Sequence, residues 1–136
     1  ILALHSEQLP RELHAALVER LKTEPDSFNG NLLATALAAA PEDLRQNALA
    51  HIQTDFEKET NPEKKRNQLA QIVCLAKKKA EPLLKKISVG DSLLAQDARD
   101  YRALLSAGPV KPEALFQQKA IRDANRQTAS EPPSPP

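Results

Sequence analysis

The 136-residue chain contains no methionine, no tryptophan, one cysteine and three glycines. Each shortage excludes something. A single thiol, Cys74, cannot close an intramolecular disulfide, so the chain fits a reducing compartment rather than a disulfide scaffold. So few glycines leave little material for a phosphate-cradling loop, and none of the patterns G-x-x-x-x-G-K-[ST], G-x-G-x-x-G or G-x-S-x-G occurs. The three histidines, His5, His14 and His51, show no H-x-x-x-H or H-E-x-x-H spacing, so neither a metal nor any other cofactor is expected. No apolar run approaches the roughly 20 residues that span a bilayer. The opening Ile1-Leu2-Ala3-Leu4 is too short for the apolar region of a signal peptide. With no initiator methionine, the chain reads as a piece of a larger protein, expected in the cytoplasm.

What is abundant is leucine and alanine, at 20 and 21 residues, against nine isoleucines and valines together. Strong helix formers dominate and strand formers are scarce. The expected fold is all-α, an antiparallel bundle of about six helices joined by short connectors punctuated by proline and glycine. Residues 1–127 form this domain. Residues 128–136, ending Pro132-Pro133-Ser134-Pro135-Pro136, are expected as a disordered Pro-rich tail or linker, with a P-x-x-P spacing that an aromatic groove can read.

Four prolines, Pro10, Pro41, Pro62 and Pro112, stand where helices begin. The first helix covers 10–23 with Leu13, Leu17 and Leu21 inward and Leu9 stapled to Leu13. The second starts at Phe28 or Asn31, after the turn-like Asn29-Gly30-Asn31. The third buries Leu44, Ala48, Ile52 and Phe56, with Glu42 and Asp43 favourably placed in its first turn. Asn61-Pro62-Glu63 caps the fourth, which buries Leu69, Ile72, Val73, Ala76 and Ala80. Pro82 is expected to kink it, with Leu83, Leu84 and Ile87 continuing the same stripe and Gly90 ending it. A fifth helix from Asp91 or Ser92 turns Leu94, Ala98, Tyr101 and Leu105 inward. The last, from Pro112 to about Arg126, uses Leu115, Phe116, Ala120 and Ala124. The hexapeptides at 47–52 and 67–72 resemble each other at an offset of one helix rather than one helix pair, and so read as chance similarity instead of a solenoid repeat.

Charge supplies the one handle on a partner. Residues 63–87 hold eight Lys/Arg against two Glu, whereas residues 1–62 hold five basic and ten acidic residues. On a helical projection the apolar residues of this stretch fall opposite Lys64, Lys78, Lys79, Lys85 and Lys86. Such a face is either simply solvated or docks an acidic surface. The candidate partner-binding residues are Lys64, Lys77, Lys78, Lys79, Lys85 and Lys86. The partner is a protein with an acidic surface or, through the acidic half, a second copy. The alternative is non-specific binding of nucleic acid or an anionic surface through residues 64–86. It is disfavoured because no aromatic lies between Phe56 and Tyr101 and Arg66 is the only guanidinium. Asp97 and Asp100 read as surface ion pairs with Arg99 and Arg102, and Cys74 as a small hydrophobe within a helix rather than a nucleophile. In general style the chain resembles helical adaptor regions of larger proteins. It is expected to be a non-catalytic interaction or scaffold domain.

Overall fold

A computed structural model describes residues 10–130, with side chains only as far as Asn125. All the regular structure in these residues is helical. The helices are α1 (Arg11–Thr23), α2 (Ser27–Leu37), α3 (Glu42–Lys58), α4 (Pro62–Ala76), α5 (Glu81–Ile87), α6 (Leu93–Ser106) and α7 (Pro112–Ser130), with a 3-10 turn (Lys77–Ala80) between α4 and α5. Counting α4, the turn and α5 as one broken rod gives six helical units among the described residues, as the sequence predicts. The expected staple from Leu9 and the end of the proline-rich tail, 131–136, lie outside the described residues.

Capping follows the sequence closely. Pro10 and Pro41 occupy N-cap positions, and Pro62 and Pro112 open their helices, where a missing N–H leaves nothing unsatisfied. The Asn61 side chain accepts a bond from the Lys64 N–H at 3.0 Å, and Ser92 accepts from the Ala95 N–H at 3.1 Å. Asp26 accepts from the Asn29 N–H and starts α2 earlier than expected, so Asn29-Gly30-Asn31 is helix and not turn. Gly30 serves close approach: a Cβ there would lie 3.0 Å from Nε2 of Gln71 on α4.

The contacts define how the helices run. Asn31 meets Asn67 and Gln71, and the Ala34 carbonyl meets Cys74, so α2 and α4 are parallel. Lys65 bonds the Phe56 carbonyl and Arg45 the Leu75 carbonyl, so α3 and α4 are antiparallel. α1 packs on α2 and α3, α2 and α3 pack on α4, α5 packs on α6, and α6 packs on α4. From α1 to α4, neighbours in sequence therefore oppose each other while next-but-one helices run together. This is the order of stacked helical hairpins. Helix starts fall at 11, 42 and 81 and at 27, 62 and 93, close to the roughly 34–47 residues of helix-pair repeats. The resemblance noted at an offset of one helix links α3 to α4, the two arms of one hairpin.

Alanine sets the closeness of this packing. Ala34, Ala48, Ala70 and Ala98 are fully buried beside Leu37, Leu69, Leu75 and Leu84. All the predicted α3 residues are buried, and so are all those of α4. Two registers differ from expectation. In α1 the inward residues are His14, Val18 and Leu21, whereas Leu13 is exposed. Residues spaced strictly by four drift by about 40° per step, so Leu13 leaves the face that His14 enters. Neither ring nitrogen of His14 has a hydrogen-bond partner among the described residues. In α7 the buried residues are Leu115 and Lys119, with Phe116 half-buried, while Ala120 and Ala124 face outward. That helix is seated largely by charge.

Candidate functional site

The basic stretch is not one amphipathic helix. From Gln68 to Ala76, α4 is buried on every side, because α2, α3, α6 and α7 all pack on it. The rod then breaks at Lys77, five residues before the expected kink. Lys77 has φ 56° and ψ −131°, the one positive φ outside glycine among the described residues. Pro82 instead opens α5 and disturbs nothing. The predicted opposition of faces fails for this reason. Val73 and Leu83 do pack inward, but Lys77, Lys78 and Lys79 stand on the turn, apart from Lys64 on α4 and from Lys85 and Lys86 on α5.

Lys77, Lys78 and Lys79 are exposed there, at the mouth of a cleft of about 890 Å³. The ends of α2, α4 and α6 and the starts of α3 and α7 line it. Its lining includes Ala38, Val73, Cys74, Leu105, Val110 and Leu115, so the interior is mostly apolar beneath a cationic rim. Lys111, distant in sequence, joins that rim. Glu42 and Glu113 are the acids present. Lys79 bonds Glu42 at 3.0 Å, and that hydrogen bond holds the Glu42 carboxyl below the usual carboxylate range. Arg45 turns its guanidinium to the Ala40 and Leu75 carbonyls, at 2.9 and 3.4 Å. Among the described residues Lys77, Lys78 and Lys111 form no ion pair.

The remaining predicted residues lie apart from this cleft. Lys64, at the opposite end of α4 and about 20 Å away along the helix, pairs with Glu59 at 3.7 Å. Lys85 and Lys86 are exposed on α5 and do not line the cleft. Lys65 packs over the Phe56 ring at 4.3 Å.

Arg66 is not on the surface at all. It is the largest fully buried side chain, 2% exposed. Its Nε and Nη2 reach the two oxygens of Asp97, itself 1% exposed, at 2.6 and 3.1 Å. Nη2 also meets Asp123 at 2.9 Å, and Nη1 meets Glu63 at 3.3 Å. Arg122 adds contacts to Asp97 and Asp100, and Lys119 bridges Glu63 and Asp123 at 2.5 and 3.0 Å. The result is a charged lattice that ties α7 and α6 to α4. Burial works against the Arg66 charge, yet the bonds it donates to Asp97 and Asp123 win and raise its pKa above the ordinary value. For Asp123 burial also opposes charge, and Lys119 and Arg66 outweigh it, so its pKa is lowered. The expected surface pairing of Asp97 is thus corrected. Arg99 instead bonds the Ser88 and Gly90 carbonyls, and Arg102 bonds Glu81. Only the i, i+3 spacing of Glu63 and Arg66 and the i, i+4 spacing of Lys119 and Asp123 hinted at any of this, because the main partners are remote in sequence.

Burial pushes the Cys74 thiol up to about 12, so it is protonated at neutral pH, and its sulfur lies 3.3 Å from the Ala34 carbonyl. Among the described residues no three His, Cys, Asp or Glu side chains converge to hold a metal ion, and no helix is long and apolar enough to cross a membrane. Comparison with protein-family models, curated proteins and solved structures finds no match to this chain.

Proposed function

We propose that this chain is a non-catalytic interaction module of a reducing, intracellular compartment that captures an acidic segment of a partner protein. One observation carries the reading: three consecutive exposed lysines share the rim of a largely apolar cleft with a fourth, Lys111, from another part of the chain. Cationic groups steer an acidic segment and fix its register, while the apolar interior supplies the affinity. Arg66 is withdrawn into the core, so the exposed charge is all lysine, which suits point-charge attraction better than forked base reading.

The test uses a fluorescein-labelled peptide of glutamate and leucine, read by anisotropy. Lys78→Glu with Lys111→Glu should weaken its binding about tenfold, from the loss and reversal of two rim charges. Lys85→Glu with Lys86→Glu, which changes net charge equally outside the cleft, should change it less than about twofold. Equal effects from both pairs would refute a cleft-centred site. Retention of an oligonucleotide in place of the peptide, falling steeply with salt, would replace the reading with anionic-surface binding.

A further inference from the structure

We infer that the break in the rod of α4 and α5 is movable. It stands at Lys77 when the lysines line the cleft and shifts to Pro82 when they leave it, so the chain switches its own binding rim. The movement follows from the backbone; its consequence for binding rests on the cleft being an acidic-partner site. Lys77 holds φ 56° with ψ −131°, a conformation that glycine tolerates and that a residue bearing a Cβ resists. Nothing in the local sequence asks for a break there. Lys77, Lys78, Lys79, Ala80 and Glu81 are all good helix formers. The Lys77 N–H already bonds the Val73 carbonyl, as it would in a continuing helix.

Pro82 is the residue that forbids continuity. In an unbroken helix its ring would meet the Lys78 carbonyl, and it has no N–H to offer. A rod broken at Pro82 is therefore free of the strain at Lys77. It extends α4 through Ala80 and places Lys77, Lys78 and Lys79 in the last turn, where the helix dipole favours cations. The last turn of α4 as it stands holds no basic residue. Successive residues of a helix point about 100° apart, so the three lysines then no longer share one rim. Few contacts hold the strained arrangement. Lys79 bonds Glu42 at the cleft mouth at 3.0 Å, with the two side chains 68% and 64% exposed. Ala80 is the buried residue of the turn, Glu81 meets Arg102 at 2.9 Å, and the short α5 fully buries Leu84 alone. An acidic segment on the rim adds to what Glu42 does, because it offsets the repulsion of adjacent ammonium groups. Binding and the break at Lys77 then favour each other.

The experiment compares Lys77→Gly with Lys77→Ala on the intact chain. Both remove the same ammonium group, and they pull the break in opposite directions. Glycine relieves the strain and is a poor helix former; alanine keeps the strain and is the best helix former. The first readout needs no ligand: the Cα chemical shift at position 77 should lie at its helical value in Lys77→Ala and away from it in Lys77→Gly. The second is anisotropy with the glutamate–leucine peptide. It should bind Lys77→Gly roughly fivefold more tightly than Lys77→Ala, because apparent affinity falls with the population of the competent state. A non-helical shift in Lys77→Ala overturns the inference whatever the peptide does. A helical shift with equal affinities, or with tighter binding to Lys77→Ala, overturns the switch and leaves the cationic cleft standing if Lys78→Glu with Lys111→Glu still weakens binding. If the peptide does not bind the parent chain, the cleft reading fails and a switch of its rim fails with it.

Discussion

Replacing Arg66 by methionine keeps an unbranched apolar stem and removes the guanidinium with its charge. The cost concentrates on one acceptor. Glu63 is 59% exposed on its side chain and rehydrates freely, and Asp123 keeps Lys119 at 3.0 Å. Asp97 is different: at 1% exposure it would retain only the Nε of Arg122, at 3.4 Å. Stranding a buried charge typically costs about 3–5 kcal/mol, a large part of the roughly 5–15 kcal/mol that holds a domain together. Arg66→Met should therefore lower the urea midpoint strongly, with the slope of the transition unchanged. Adding Asp97→Leu removes the stranded charge, while Arg122 keeps Asp100 and Gln96. The double variant should recover to within about 1 kcal/mol of the parent chain, because an apolar pair of similar volume often replaces a buried ion pair without loss. Far-UV circular dichroism follows global unfolding. The near-UV signal of Tyr101, the only tyrosine and itself fully buried next to Asp97 on α6, follows the same region locally. An Arg66→Met loss below about 1 kcal/mol, or a double variant no better than the single one, would refute the claim that Arg66 and Asp97 form a buried, mutually dependent pair.

Two further outcomes are open to simple measurement. Lys77→Gly should raise stability by about 1 kcal/mol in urea titration, because φ 56° with ψ −131° strains any residue bearing a Cβ; a destabilised variant would show that the lysine side chain itself holds the break. Cys74 binds its proton up to about 12 in the fold against an ordinary 9.0. The folded state thus holds more protons than the unfolded one above that ordinary value, and stability should fall by roughly 1.4 kcal/mol per pH unit as pH rises from about 9. Urea midpoints taken across pH 9–10 should show this slope in the parent chain and a flatter one in Cys74→Ala; identical slopes would contradict the burial of the thiol.

The legible parts of the fold were those where one face decides everything. In α3, Leu44, Ala48, Ile52 and Phe56 alternate with charge and leave a single solution, and all are buried. Asn61 before Pro62 starts α4 by chemistry alone. The second half of α4 was harder, because Gln68 and Gln71 suggest an outward side. Both are buried, with Gln71 held by Asn31 and Gln68 reaching Glu59, groups supplied by other elements. Arg66 and Asp97 pair across α4 and α6, so each looks like an ordinary surface charge within its own helix. The sequence points to Pro82 for the break, because a proline inside a helix usually breaks it, yet the strain sits at Lys77, a residue with no turn preference of its own. The run Lys77–Lys79 was visible as charge. The cleft beneath it was not, since its lining comes from α2, α3, α4, α6 and α7, brought together only by the stacking of hairpins.

That stacking also governs how the molecule fails. Among the helices α1 packs chiefly on α2 and α3, and among the described residues no ion pair joins residues 11–58 to α6 or α7. Thermal fraying should begin at the edge formed by α1 and α2 and travel toward α6, one hairpin at a time, as nearest-neighbour arrays unravel. Because α2 is part of that edge, the cleft would lose a wall while α4, α6 and α7 were still bolted together by Arg66.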